Sequence, residues 1–158
     1  MTAPLSIRLN VAVQHIASKL FPCGFDVSSE APDTFEKLAE TVRYGGRMIV
    51  WNGASDKTIF ADDETNYAFR AWHDWCHLAG DFPFTPEGEM NAALMQMDHI
   101  RQIYGNTKEA QEMAALVWTE VVGQVQYNLA HDGEFPVDQM AFAKAYLADP
   151  DAAVNASF

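Results

Sequence analysis

The sequence predicts a mainly α-helical protein, a single-domain helical bundle with a small β-hairpin. Its 158 residues, 49% of them hydrophobic, suffice for one domain with a buried core. Apolar residues recur at spacings of three and four along most of the chain, as on one face of a helix. Capping residues and Gly or Pro breaks separate these segments. We therefore expect residues 1–150 to form the helical domain and residues 151–158 to form a flexible tail.

The first predicted helix follows an apolar pattern from residue 5 to residue 20 and ends at Pro22. The second begins at a capping pattern, Asp33 followed by Glu36, and stops at Gly45. After it, the β-prone segments RMIVW and KTIF flank the turn signal Asn52–Gly53. This arrangement predicts two short strands paired as a hairpin across one end of the bundle.

The second half of the chain reads as helices alone. Acidic residues open the third helix, Thr85–Pro86 opens the fourth, and Thr107 caps a long fifth. Glycine or proline follows each of them. The predicted ranges are 62–80, 85–105, 107–133 and, for a short sixth helix, 136–148.

Charge and composition narrow the possible functions. The chain has 22 acidic and 10 basic residues, a formal charge of -12, which opposes general binding to nucleic acid. It contains no apolar run long enough to span a membrane and no secretion signal, and its two cysteines have no metal-type spacing. We expect a cytoplasmic protein, in a host cytoplasm if phage-encoded, that acts on a small molecule; its oligomeric state stays open.

Polar residues also recur at helical spacing on four of the predicted helices. The third and fifth helices are apolar over most of their circumference, which indicates central helices whose few polar residues point inward and need partners. The alternative is that these polar residues form the solvent-exposed faces of ordinary amphipathic helices. The four sets are Glu36, Glu40 and Arg43; Asn66, Arg70, His73 and His77; Glu89, Gln96 and His99; and Glu120, Gln124, Tyr127 and His131.

An inward cluster of this composition favours a metal site. His73 and His77 lie one helical turn apart and can offer two imidazoles to one ion. Glu40, Glu89 and Glu120 are the available carboxylate donors. Mixed nitrogen and oxygen ligands suit a divalent Mn, Fe, Co, Ni or Zn ion. A pair of hydrogen-bonded core histidines is the alternative for the same spacing.

The segment HDWCHLAGDFPFTPEGE, residues 73–89, resembles the HD-type metal phosphohydrolases, especially the deoxynucleoside triphosphate triphosphohydrolases. Those enzymes carry His-Asp-x-x-His, then Pro-Phe, then commonly Gly-Glu. The resemblance implies that His73 and Asp74 bind metal and that His77 lies beside the substrate phosphates. Glu40 would take the place of the family's upstream histidine, and Glu120 that of its later aspartate.

The chain as a whole, through IVWNGASDKTIF and FRAWHDWCH, also resembles small proteins of unassigned function from phages and bacteria. The first functional hypothesis is a metal-dependent phosphohydrolase acting on a nucleotide or another small phosphate ester. In it, Arg43 and Arg70 neutralise phosphate and Glu89 or His77 transfers the proton. An aromatic residue such as Tyr127 stacks a base.

Two other functions remain open on the sequence. Inward Glu and His side chains in a helical bundle are also the components of a carboxylate-histidine iron oxygenase or oxidase. The strong negative charge suits a non-catalytic acidic binding or inhibitor protein, in which the polar cluster is structural.

Overall fold

The computed structural model describes residues 2–158 and confirms a mainly helical fold with a small two-stranded sheet. A π-helical turn at Thr119–Gly123 connects two of the helices into one rod. The elements are α1 (Ile7–Leu20), β1 (Asp26–Ser28), α2 (Phe35–Arg43), β2 (Ile49–Trp51), α3 (Asp63–Gly80), α4 (Pro86–Tyr104), α5 (Lys108–Trp118), α6 (Gln124–Ala130), α7 (Gln139–Ala148) and α8 (Pro150–Asn155).

Side-chain caps set the starts of the helices. Each capping oxygen accepts a hydrogen bond from the backbone N–H three residues on, which contributes ~1 kcal/mol per helix. The caps of α1 to α5 are Ser6, Thr34, Asp62, Thr85 and Thr107. For α2 the cap is therefore Thr34 and not the expected Asp33, whose carboxylate lies 2.8 Å from the Lys37 ammonium instead.

The sheet differs from the expected hairpin in the pairing of its strands. The segment RMIVW does contain a strand, β2, but its partner is β1, which runs parallel to it with Val27 opposite Val50. A parallel pair needs a crossover connection, and α2 supplies it. The expected partner at residues 57–60 forms no strand.

The reason lies in an arginine of α3. Nη1 of Arg70 donates to the carbonyl oxygen of Trp51 at 2.6 Å, and Nη2 donates to that of Ala54 at 3.3 Å. These hydrogen bonds occupy backbone acceptors that a hairpin ladder would use. The chain after β2 is thereby fixed against α3 rather than folded back on β2.

Helix α3 lies at the centre of the packing, between α1 and α4, and α4 packs in turn against α5. Trp72 of α3 is fully buried, and its indole N–H donates to Nδ1 of His99 at 2.9 Å. His77, on the same helix, is also fully buried. A central helix accordingly carries its histidines into the interior, as the apolar circumference of α3 predicts.

The C-terminus is ordered by packing. Residues 151–155 of the segment expected as a flexible tail belong to α8, which Asp149 caps and in which Pro150 occupies the first turn. Nε2 of His131 donates to the carbonyl oxygen of Val154 at 2.8 Å, and the Phe158 N–H donates to the Tyr127 hydroxyl at 3.1 Å. Across residues 2–158, no helix combines the length and the apolar character needed to cross a membrane.

Candidate metal centre and its cavity

Three side chains from two helices meet at one point. His73 and His77 project from the same face of α3, and Glu89 projects from the first turn of α4. Nε2 of His73 lies 3.0 Å from Nε2 of His77, and Oε2 of Glu89 lies 2.7 Å and 3.1 Å from these two atoms respectively. Within the described residues 2–158, these side chains form the one group of metal-ligating type whose donor atoms converge in this way.

The other nitrogen of each imidazole faces a carbonyl oxygen. Nδ1 of His77 lies 2.7 Å from the backbone oxygen of Phe82, and Nδ1 of His73 lies 2.8 Å from Oε1 of Gln96. A carbonyl oxygen only accepts, so both Nδ1 atoms carry hydrogen and donate. In the neutral rings, both Nε2 atoms then present lone pairs to each other and to the Glu89 carboxylate.

Three lone-pair atoms at this separation repel one another unless a cation lies between them. Ligand atoms about 2.0–2.1 Å from a transition metal and about 90–110° apart lie roughly 2.8–3.4 Å from one another. The triangle of His73, His77 and Glu89 is close to that size before any adjustment. The hydrogen bonds of both Nδ1 atoms also fix the ring orientations, as second-shell partners of metal-bound histidines do.

In the absence of a metal, a proton can take its place. Burial raises the pKa of Glu89, but the hydrogen bonds and charges of the two histidines outweigh burial and hold this pKa at about 2. Burial lowers the pKa of His73, while the hydrogen bond and charge of Glu89 act oppositely and leave that pKa raised. An imidazolium at His73 donating to the Glu89 carboxylate therefore satisfies the cluster, and an ion that binds there displaces the proton.

Local sequence explains why Glu89 reaches the histidines. After α3, the backbone N–H of Phe82 donates to the His77 carbonyl at 2.8 Å, so residue 82 bonds His77 from both directions. At the start of α4, a Cβ on Gly88 would collide with the Pro83 carbonyl oxygen. Only glycine allows this close approach of α4 to the loop. The loop between α3 and α4 thus sets the position of the Glu89 carboxylate.

Two of the three donor residues line a cavity of about 720 Å³. His73 and Glu89 lie in its wall, while His77 is fully buried behind them. The site is thus closed on the protein side and open toward the cavity, the arrangement expected where an ion must also contact a substrate. Among the other lining residues are Trp51, Asn66, Phe69, Arg70, Asp74, Glu120, Gln124, Phe135 and Gln139.

Asp74 and Arg70 supply charge beside the triad of His73, His77 and Glu89. Burial raises the pKa of Asp74 to about 6, although the charges of His73 and His77 act to lower it. A carboxylate with that pKa is ionised at neutral pH and still accepts a proton readily. The Arg70 guanidinium, which uses two of its five N–H groups on the backbone, faces the same cavity.

The structure brings together only part of the set expected from the sequence. Glu40 and Arg43 are exposed on α2 and do not line the cavity. Tyr127 is buried at the C-terminal end, where its ring stacks on His131 with centroids 3.8 Å apart, so it is not placed to stack on a substrate. Helical spacing in the sequence cannot distinguish the faces that carry these three residues from the faces that line the cavity.

Asp74 and Glu120 both line the cavity, but neither joins the converging triangle of donors. The expectation that Glu120 and His73 share one ion is not met by this geometry. His77 and Glu89, expected in catalysis, instead supply donor atoms of the triangle. The i, i+4 spacing of the histidines was enough to place His77 beside His73. Nothing in the sequence indicated that Glu89, rather than Glu40 or Glu120, joins these two histidines.

Sequence reasoning also missed two supporting roles. Gln96 appeared as a member of a polar stripe, but its contact with His73 Nδ1 depends on the crossing of α3 and α4, which spacing does not give. Gln139 was not singled out at all, although its side chain lines the cavity. Neither residue carries a sequence motif of its own.

No protein-family model matches this chain, and neither does any curated protein or solved structure at a significant level. Function is therefore inferred from the geometry of the site.

Proposed function

We propose that this protein is a metal-dependent hydrolase that binds one divalent ion through His73, His77 and Glu89 and cleaves a small phosphorylated substrate in the adjoining cavity. The observation that carries the proposal is the convergence of three lone-pair atoms at 2.7–3.1 Å on the cavity wall, with both outer imidazole nitrogens donating elsewhere. The donor set of two histidines and one glutamate is one that catalytic zinc sites use.

A divalent ion held there would polarise the phosphoryl group and lower the pKa of water at the site. The chain supplies the remaining functions. Asp74, which lines the cavity beside His73, is the carboxylate that accepts the proton of the attacking water. Arg70 places a positive charge in the cavity for the phosphate oxygens.

The reaction is a hydrolysis with water as the second reactant. The water oxygen forms a bond to phosphorus as the bond from phosphorus to the leaving oxygen breaks. The proton taken by Asp74 passes to that leaving oxygen, so the products are an alcohol and a phosphate. His77 and Glu89 have no proton to transfer in this scheme, because their inward atoms are committed to the ion.

The test is hydrolysis of p-nitrophenyl phosphate and of a nucleotide panel by protein stripped of metal and reloaded with Mn, Fe, Co, Ni or Zn. We expect activity only with a bound ion and none in Glu89→Gln. Asp74→Asn should keep its metal and lose on the order of 10²–10⁴-fold in kcat, the usual contribution of a general base. A protein with full metal occupancy and no hydrolysis of any phosphate ester would contradict the proposal.

One feature favours a second candidate, an iron-dependent oxygenase or oxidase. Two histidines and one carboxylate on one face of the ion are also the ligands of non-haem Fe(II) oxygenases. Anaerobic loading with Fe(II) followed by exposure to O₂ distinguishes the two functions. O₂ consumption with a change in the visible spectrum supports the oxygenase, whereas phosphate release with a redox-inert ion supports the hydrolase.

A protein that takes up no ion, and whose thermal stability is unchanged by a chelator, would instead match the acidic binding protein considered from the sequence. In that case the His73 imidazolium and Glu89 carboxylate are a structural ion pair.

A further inference from the structure

A second part of the cavity wall is formed by the π-helical turn between α5 and α6. Glu120 lies in this turn and lines the cavity. Its Oε2 accepts a hydrogen bond from Nε2 of Gln124 at 3.2 Å, but its Oε1 is buried and has no hydrogen-bond partner. An unpaired buried carboxylate oxygen is costly, and π-helical turns of this kind occur frequently at functional sites.

The neighbours of Glu120 do not supply the missing partner. Gln139, which also lines the cavity, donates its side-chain N–H to the Ala54 carbonyl oxygen at 3.1 Å. Arg70 acts on Glu120 by its charge, yet its observed hydrogen bonds go to backbone oxygens. No cationic side chain in residues 2–158 lies within ion-pair distance of the Glu120 carboxylate.

Burial consequently raises the pKa of Glu120 to about 8, against the opposing charge of Arg70 and the hydrogen bond from Gln124. The carboxyl group therefore gains most from a partner that brings both a hydrogen bond and a positive charge. The cavity is lined by more acidic than basic residues. The acidic ones are Asp56, Asp74, Glu89 and Glu120, and the basic ones are Lys57 and Arg70. Phe69 and Trp51 add aromatic rings to the same cavity.

We propose that Glu120 is the anchor of a subsite for a positively charged nitrogen group of the substrate, such as a primary amine, an amidinium or a guanidinium. This group donates to the Glu120 carboxylate, which receives only one hydrogen bond from the protein. The Phe69 ring suits the same class of ligand, because cations are attracted to ring faces, whereas the Trp51 ring already faces the Arg70 guanidinium.

The inference deepens the proposed function and rests on it for the reacting end of the molecule. The substrate carries a cationic nitrogen group at the Glu120 end of the cavity and its hydrolysable group at the triad. Binding of the cationic group itself requires no metal, so the subsite can be tested separately from hydrolysis.

Benzamidine and benzamide form a matched pair of probes, since they have nearly the same shape but only the first is cationic. We expect metal-free wild-type protein to bind benzamidine in calorimetry and to bind benzamide at least roughly tenfold more weakly, the worth of a charge-assisted hydrogen bond. Benzamidine affinity should rise as the pH is raised toward 8, because the carboxyl then loses its proton more easily.

Glu120→Gln should remove most of the preference for benzamidine while leaving metal content at the triad unchanged. Glu112→Gln is the control, since Glu112 lies on the same helical rod with an exposed side chain and its loss changes the net charge equally. Far-ultraviolet circular dichroism and a thermal melt establish that each variant is folded.

Three results would overturn the inference: no preference for benzamidine over benzamide, an unchanged preference in Glu120→Gln, or a second metal ion per chain that Glu120→Gln loses. The last would make Glu120 a ligand of another ion rather than of the substrate. Failure of hydrolysis in the phosphate assay, by contrast, leaves the benzamidine result standing.

Discussion

The triad and the π-helical turn line one cavity but differ in how their polar atoms are partnered. At the triad, both imidazoles are held from outside by hydrogen bonds, and three donor atoms converge on one point. At the turn, Glu120 has one partner for Oε2 and none for Oε1. The first region has donor atoms held in fixed positions by their neighbours, whereas the second has a carboxylate oxygen without a hydrogen-bond donor.

Under the proposed function, this difference gives the two regions separate tasks. A metal ion needs several ligands in a fixed arrangement, which regular helices provide through the i, i+4 spacing of His73 and His77. A substrate group arrives and leaves, and an under-partnered residue on irregular backbone can pair with it without first losing a strong bond. Variants in each region should therefore affect different measurements.

The largest effect is expected from the triad. Glu89→Gln should reduce the metal content of purified protein from about one ion per chain to a small fraction, because it removes the charged ligand. Metal at about 100 times its Kd stabilises a protein by ~2.7 kcal/mol, which raises Tm by roughly 5–10 °C for a chain of this size. The variant should show almost none of that rise in a thermal melt with added metal.

His15→Ala is the matched control for a histidine substitution such as His77→Ala, since His15 is exposed on α1 and outside the cavity. Unchanged metal occupancy in both Glu89→Gln and His77→Ala, measured by mass spectrometry, would mean that the convergence of these side chains is structural.

The sequence was most informative where function follows regular helix geometry. The caps at Asp62, Thr85 and Thr107 and the spacing of His73 and His77 predicted the bounds of α3 and α4 and the shared face of the two imidazoles. These features depend on residues within one turn of each other. Local chemistry is therefore enough to predict them.

The rest depends on contacts between distant residues. Glu89 joins the histidines because α4 packs on α3 and Gly88, in the first turn of α4, lets that helix approach the preceding loop closely. No spacing rule distinguishes Glu89 from Glu40. The π-helical turn at Glu120 has no residue pattern that predicts it. Arg70 binds the carbonyl oxygens of Trp51, at the end of β2, and of Ala54, a long-range contact that the Asn52–Gly53 turn signal does not reveal.

A smaller effect is expected from the outer contact of His73. Gln96 accepts the Nδ1–H hydrogen bond at 2.8 Å and is itself fully buried, with no partner for Nε2. Gln96→Met, which keeps the volume but removes the acceptor, should weaken metal binding by roughly 10- to 100-fold. Competition with a chromogenic chelator measures this change.

Gln96→Glu sharpens the same test. A carboxylate accepts from Nδ1–H at least as well as an amide oxygen does, so affinity should be kept or increased. If Gln96→Glu weakened binding as much as Gln96→Met, the Gln96 side chain would be donating to His73, and the inward lone pair on His73 would be lost.

The smallest effect concerns the pH dependence of stability at the π-helical turn. The pKa of Glu120 is about 8 in the folded protein against 4.5 for an unperturbed glutamate, with burial as the main cause. As the pH rises from about 4.5 to about 8, the unfolded chain loses this proton before the folded chain does. The folded state then binds more protons than the unfolded state, so the contribution of Glu120 to stability falls across that window.

Glu120→Gln cannot ionise and should lack this fall. Urea unfolding of metal-free protein at pH 5 and pH 8.5 should show the variant gaining on the wild type at the higher pH by on the order of 1–2 kcal/mol, less than the full shift because Glu120 is only partly buried. Glu112→Gln, at an exposed position, should show no such pH-dependent gain. An equal difference between wild type and Glu120→Gln at both pH values would show that Glu120 is already compensated within the protein, and the contrast between the two regions of the cavity would disappear.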